Sequence, residues 1–264
     1  MALTLWNRQN KRIILLIGRT GSGKSTLANV LTDSDNFKEN AGSLSGTREN
    51  QVDEFDERLG DKVIKFRVID TVGFGDTHLT DKEVLNKIAE ASNDIKDGLN
   101  QIFFVITGKL TKEEIHAFRL LTKIIFSDTK IVEYITIVRT HFTEFEDEDE
   151  CEEDRQNLQN ELGVINIIYV DNPPLKGRLS LFNQSIREES RKRLLAHLVT
   201  CKNNYKPKNL KTINDRIDNY VTETQKLRNE LDELKKLTEE QQKVFAEQIR
   251  LIEEKLAKNR CIIL

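Results

Sequence analysis

Between Arg12 and about Thr200, short apolar runs rich in β-branched residues alternate with longer segments whose apolar positions recur at helical spacing. That alternation predicts an α/β fold, a mainly parallel sheet flanked by helices, because each parallel strand needs a crossover before the next can join the same sheet. Residues 13–17, 63–69, 102–106, 134–138 and 165–170 are the predicted strands. Two predicted helices announce their starts with capping boxes, Thr80-x-x-Glu83 and Thr111-x-x-Glu114. In each, a hydroxyl and a carboxylate satisfy backbone N–H groups left free in the first turn. Residues 144–154 hold nine acidic side chains among eleven, which reads as a solvated loop leading into a helix, or as a docking segment for a basic partner.

The pattern changes after Lys206, where glycine is absent and charged residues alternate with apolar ones. Heptads counted from Leu210 put Leu210, Ile217, Thr224 and Leu231 at a, with Ile213, Tyr220, Leu227 and Leu234 at d. Beyond Leu234 the strict repeat fails, and Leu237, Phe245, Ile249, Ile252 and Leu256 continue it in a register shifted by a stutter. A long helix is expected, its stripe covered either by a partner helix or by the globular domain itself. The predicted organisation is a nucleotide-binding domain over residues 1–205, a helical extension over 206–260 and a C-terminal signal over 261–264.

Charge narrows the classes. With 41 basic against 44 acidic residues the net charge is -3, so no global positive field gathers nucleic acid, and no nucleic-acid partner is expected. Cys151, Cys201 and Cys261 form no Cys-x-x-Cys pair, which argues against a disulfide framework or a zinc site and points to a reducing, cytoplasmic setting. No apolar run approaches the ~18 residues that span a bilayer, so membrane contact is expected to be peripheral.

The candidate chemistry begins at Gly18-Arg19-Thr20-Gly21-Ser22-Gly23-Lys24-Ser25, which fits G-x-x-x-x-G-K-[ST] between a predicted strand and a predicted helix that begins near Lys24, with Thr26 counted among the nucleotide-binding candidates. Glycines let such a loop turn its backbone N–H groups inward around phosphate oxygens. Lys24 then offers charge to the β- and γ-phosphates, Ser25 a hydroxyl to Mg2+, and the helix its positive dipole end. The second signal is Asp70-Thr71-Val72-Gly73 at a strand end. In this D-x-x-G, Asp70 is expected to hold the metal through water and Gly73 to meet the γ-phosphate with its N–H. Hydrolysis would release that contact and loosen the following segment.

Together these residues resemble the immunity-associated GTPases of the GIMAP/IAN (avirulence-induced gene) type, within the septin-like branch of P-loop GTPases. The likeness covers about residues 11–200 and rests on I-G-R-T-G-S-G-K-S-T-L-A-N from Ile17, the stretch ending Ser45-Gly46-Thr47-Arg48, and V-I-D-T-V-G-F-G-D-T from Val68. The resemblance implies a P-loop GTPase fold that takes GTP/GDP with Mg2+. It makes Thr47 the residue that closes over the metal and γ-phosphate, and implies a homodimer paired through the nucleotide domains.

Two departures stand out. The guanine-reading Asn/Thr-Lys-x-Asp segment is replaced by Arg139-Thr140-His141-Phe142-Thr143, without the aspartate. The resemblance then assigns base contact to His141 and to Asn172, which follows the last predicted strand. Phe74 occupies the place immediately after D-x-x-G where Ras-like hydrolases orient water with glutamine, so slow turnover is expected, with Thr47 and Gly73 the catalytic candidates. The alternatives are a septin-like scaffold with little turnover, although Val72 stands where septins carry proline, and an ATP-binding P-loop protein.

The last four residues, Cys261-Ile262-Ile263-Leu264, match C-a-a-X, and a leucine at X favours geranylgeranylation of Cys261. One lipid chain binds a bilayer only marginally, and the flank, with Lys255, Lys258 and Arg260 against Glu253 and Glu254, adds little. Self-association would supply a second chain. The expected protein is a nucleotide switch on the cytosolic face of a membrane.

Overall fold

The computed structural model describes residues 11–39, 49–59, 61–74, 81–95, 98–164, 166–206 and 212–260. The chain forms two compact units, residues 1–217 and residues 218–264. In the first unit the strands are β1 (Lys11–Gly18), β2 (Gln51–Leu59), β3 (Lys62–Asp70), β4 (Gln101–Thr107), β5 (Ile135–Thr140) and β6 (Asn166–Tyr169). They form one sheet in the order β2-β3-β1-β4-β5-β6, parallel throughout except that β2 runs antiparallel to β3. The helices are α1 (Lys24–Thr32), α2 (Asp81–Asp94), α3 (Lys112–Leu120), α4 (Glu148–Leu162), α5 (Ser180–Thr200) and α6 (Ile213–Arg260).

The central strands are continuous apolar runs because both of their faces are covered. On one face Ile14, Leu16, Phe66, Val68, Phe103 and Val105 pack with Leu27 and Leu31 of α1 and Leu194 and Leu198 of α5. On the other, Phe104 meets Phe118 of α3 edge-on, with ring centroids 5.4 Å apart. All five predicted strands are present within a residue or two, although Ile165 lies outside the described residues.

The sequence pattern missed β2. Its residues, Gln51-Val52-Asp53-Glu54-Phe55-Asp56-Glu57-Arg58-Leu59, carry five charged side chains, yet from Gln51 to Arg58 they alternate strictly between half-buried and exposed. Phe55 is the anchor, stacked on Phe66 with centroids 5.1 Å apart, while Glu57 reaches the same face to pair with Arg191 at 2.8 Å. An edge strand needs only one apolar position per few residues, and its charges keep the open edge soluble.

The Thr111–Glu114 capping box forms as expected, whereas Thr80 lies outside the described residues. Most of the acidic stretch is helix rather than loop. Asp147 caps α4 by accepting from the N–H groups of Asp149 and Glu150, and Glu148, Asp149 and Glu150 occupy the first turn, where the helix dipole favours negative charge.

The start of α6 belongs to the first unit. Ile213 and Ile217 are 3% and 0% exposed, so two positions of the heptad count are core residues. Arg216 between them donates to the carbonyls of Ile124 and Ile125, at 2.8 and 2.6 Å, where a short π-helical segment (Leu121–Ile125) ends. Within the second unit, α6 continues as helix to Arg260, and Leu227, Leu231, Leu234, Phe245, Ile249 and Ile252 are exposed.

Candidate functional site

Ligands of open α/β sheets bind beyond the carboxyl ends of the strands, where consecutive connections diverge to opposite sides. Here that place is the end of β1, since the chain passes from β1 to β3 on one side and then to β4 on the other. Both sequence motifs lie there. Gly18 closes β1, residues 19–23 form the loop, Lys24 opens α1, and Asp70 closes β3.

The two motifs interlock. The N–H of Phe74 donates to the Gly18 carbonyl (3.2 Å), and the Thr20 N–H donates to the Phe74 carbonyl (2.9 Å). This closeness excludes larger residues, for a Cβ on Gly73 would lie 2.6 Å from the Thr20 nitrogen. Gly21 and Gly23 supply the left-handed backbone that curls the loop, with φ of 81° and 84°.

Inside the loop Lys24 is buried, and its Nζ donates to the carbonyls of Gly18 and Arg19, both at 3.0 Å. Burial pushes its ammonium down to about 8, with the Asp70 carboxylate opposing. Asp70 is fully buried, and burial pushes its carboxyl above the usual range against the attraction of Lys24 and the hydrogen bond from Ser25. That bond runs from Ser25 Oγ to Asp70 Oδ2 at 2.6 Å. Asp70 Oδ1 and Ser22 Oγ are buried without a partner among the described residues. Thr26 is half-buried in the first helical turn, and the Arg19 side chain is exposed.

These features fit a polyphosphate and a divalent cation. A buried ammonium whose charged form is disfavoured gains most from an anion, and a hydroxyl paired with a carboxylate that keeps one oxygen open forms a hard, oxygen-only donor set.

The residues expected at the base, His141 and Asn172, lie beyond the ends of β5 and β6. Thr140, 1% exposed, donates its hydroxyl to the Ser22 carbonyl (2.7 Å), with the Ile106 carbonyl also within reach at 3.1 Å, so its hydroxyl fastens β5 to the phosphate loop. The next residue, His141, adopts φ 53° and is exposed, its Nδ1 within 3.3 Å of the hydroxyls of Thr107 and Thr140. Its ring borders the loop, since a Cβ on Gly23 would lie 3.2 Å from its Cε1. Asn172 is 7% exposed, and both polar atoms of its side chain lack a partner among the described residues. A buried amide left unsatisfied costs about 1–3 kcal/mol, which a bound ring with donors and acceptors would relieve.

Two residues on α5 that no sequence motif marks hold Asn172 there. Ser190, fully buried, donates through Oγ to the Asp171 carbonyl (2.6 Å) and accepts from the Asp171 N–H (3.2 Å). Arg187 donates through Nε to the Pro173 carbonyl (2.7 Å). They are one helical turn apart and clamp the backbone on either side of Asn172, a pairing of helix and loop that no local motif records. Thr47 and Cys261 lie outside the described residues.

A family model described as the AIG1 family matches residues 12–231. Immune-associated nucleotide-binding protein 9 of Arabidopsis thaliana is 26% identical over 210 residues, covering 75% of this chain and 57% of that protein. Immune-associated nucleotide-binding protein 13 of the same plant is 31% identical over 145 residues, 54% of this chain and 40% of that protein. The chain spans 30% to 57% of the length of the curated relatives it matches. Among solved structures, Toc33 from Arabidopsis thaliana in complex with GDP and Mg2+ superposes with a TM-score of 0.53 at 13% identity, over 78% of this chain and 92% of that one. Era in complex with MgGDPNP and a segment of 16S ribosomal RNA superposes with a TM-score of 0.51 at 13% identity, over 76% of this chain and 59% of that one. At that identity the likeness is one of fold.

Proposed function

From the premise that this chain belongs to the AIG1 family, we propose that it is a Mg2+-dependent guanine-nucleotide-binding protein that hydrolyses GTP slowly and acts as a nucleotide-dependent switch. The observation that carries the proposal is the pair of buried charges Lys24 and Asp70, with half-buried Ser25 bonded to Asp70, in a loop that the Phe74 backbone locks to the end of β3.

In this proposal Lys24 turns its ammonium from the Gly18 and Arg19 carbonyls to the β- and γ-phosphate oxygens. Ser25 and Asp70 would hold the metal, Ser25 through its hydroxyl and Asp70 through its carboxylate. Mg2+, when bound, neutralises charge on the transferring phosphoryl group. Gly73 offers its N–H to the γ-phosphate, and Thr47 closes over it, so that loss of the phosphate frees both segments. His141 and Asn172 flank the base.

Slow turnover is supported by Phe74. Its ring is 5% exposed and stacks on Phe104 with centroids 5.8 Å apart, so the position that orients water in Ras-like enzymes holds an apolar core side chain. The same observation favours, as second reading, a nucleotide-binding scaffold with little turnover. Phosphate release under single-turnover conditions separates the two. The switch reading expects Mg2+-dependent release from GTP, faster at higher protein concentration if the nucleotide domains pair, and no release over hours supports the scaffold.

Asn172→Ala is expected to reduce the preference for GTP over ATP by roughly five- to tenfold, the worth of about one net hydrogen bond, and His141→Ala to lower affinity for both nucleotides through lost stacking. Competition titration checks this, and an unchanged preference in Asn172→Ala removes that residue from the base site.

The proposal also includes a homodimer, paired through the nucleotide domains and through α6, and a peripheral tether on the cytosolic face of a membrane through a prenyl group on Cys261. No described helix is long and apolar enough to cross a bilayer. Mass spectrometry of the peptide containing Cys261, from prenylation-competent cells, is expected to show the geranylgeranyl thioether. An unmodified Cys261 followed by intact Leu264 removes the tether.

A further inference from the structure

We infer that α6 pairs with α6 of a second copy of this chain as a parallel, in-register coiled coil, whose direction is set by charges at residues 223–235. The inference deepens the pairing in the proposal above and rests on it only for the existence of a dimer.

Ile213 and Ile217 are spent in the core of the first unit, so the seam open to a partner starts after them. It comprises Tyr220, Thr224, Leu227, Leu231 and Leu234 at alternating d and a positions. The three leucines are 60%, 51% and 61% exposed. Exposed leucines at this spacing form a stripe of the width that a second helix covers.

The flanking positions identify the partner. With Thr224 and Leu231 at a, the g positions are Glu223 and Glu230, and the e positions are Arg228 and Lys235. All four side chains are exposed, and Lys235 stands 3.9 Å from Asp232 on its own helix, an exposed contact of little strength. In a parallel pair each g residue meets the e residue five positions later on the other helix. Glu223 therefore faces Arg228, and Glu230 faces Lys235, twice each by symmetry. An antiparallel pair would instead set g against g and e against e, glutamate on glutamate and cation on cation. The same segment is thus complementary to itself in one direction alone, which makes a second copy of the chain the fitting occupant.

The part after the stutter does not oppose this choice. There Phe245 and Ile252 take d and Ile249 takes a, all 57–64% exposed. The matching g-to-e pairs are Gln241 with Ala246 and Gln248 with Glu253, neither of which sets one charge against another. Direction is decided by the four charges upstream, and the lower stretch adds apolar area.

The test is sedimentation equilibrium of the full chain in EDTA without nucleotide, so that pairing of nucleotide domains does not contribute. The native chain is expected to dimerise. Glu223→Lys with Glu230→Lys turns four attractive contacts into four repulsive ones and is expected to weaken the dimer at least about tenfold. Adding Arg228→Glu and Lys235→Glu to that double variant restores every g-to-e attraction and is expected to restore the dimer. An antiparallel pair would respond to neither change, because like faces like in all three proteins. As an independent readout, Leu231→Cys is expected to form a disulfide between copies on mild oxidation, since a residues of a parallel pair approach within bonding range, while Asn229→Cys on the outer face is not. Circular dichroism confirms that the variants remain helical. A monomeric native chain overturns the inference and leaves the nucleotide proposal standing. A dimer indifferent to the double reversal overturns the parallel register while leaving self-association in place.

Discussion

Lys24→Ala is expected to weaken binding of a slowly hydrolysed GTP analogue with Mg2+ by roughly a hundredfold to a thousandfold, with the fold retained. The side chain is buried, and its charge is held by two carbonyls at 3.0 Å and by Asp70, with burial already pushing its pKa down to about 8. An incoming polyphosphate would replace a weak set of partners with a strong one. Removing one member of a buried charge pair costs about 3–5 kcal/mol, and each 1.4 kcal/mol is about tenfold in affinity. Ser25→Asn should act in the same direction through the metal, losing affinity mainly when Mg2+ is present. Calorimetry on both variants checks this, and affinities within about threefold of the native protein remove the loop from the binding site.

Gly18→Ala should instead damage the protein itself. A Cβ there would lie 2.3 Å from the Val105 carbonyl oxygen and 2.9 Å from Ser22 Oγ. Val105 pairs with Gly18 in the parallel register of two central strands, so neither backbone can give way. Overpacking of this kind costs about 3 kcal/mol, which in a domain of this size lowers Tm by roughly 6–12 °C. Gly21→Ala is the control, since it meets nothing within 4 Å and pays only for its φ of 81°, about 1 kcal/mol. Thermal melts of the two are expected to differ by several degrees, with Gly18→Ala the lower, and equal melting temperatures would contradict the close approach.

The contrast between these variants also shows what the sequence could express. The phosphate loop was legible because its chemistry depends on consecutive residues, and the glycine and lysine spacing survives any packing around it. The apolar runs of β1 and β4 were legible because burial on both faces leaves no polar position to mislead. β2 was not, since among its described side chains Phe55 is the apolar anchor, while Glu57 owes its place to Arg191, 134 residues away in the chain. Asn172 could be named only from a resemblance, and its support by Arg187 and Ser190 depends on a helix and a loop meeting in space. The heptad count found a real stripe in α6 but could not tell that Ile213 and Ile217 would be drawn into the core, because a core position and a coiled-coil seam look alike in sequence.

The central proposal, a Mg2+-dependent site selective for guanine, is tested most directly by titrating the nucleotide-free protein with slowly hydrolysed analogues of GTP and ATP, each with Mg2+ and with EDTA. The expected result is saturable binding of the GTP analogue, at least about tenfold tighter than the ATP analogue, the worth of one or two additional base contacts, and weaker without Mg2+. Equal or tighter binding of the ATP analogue, or binding indifferent to Mg2+, would contradict it.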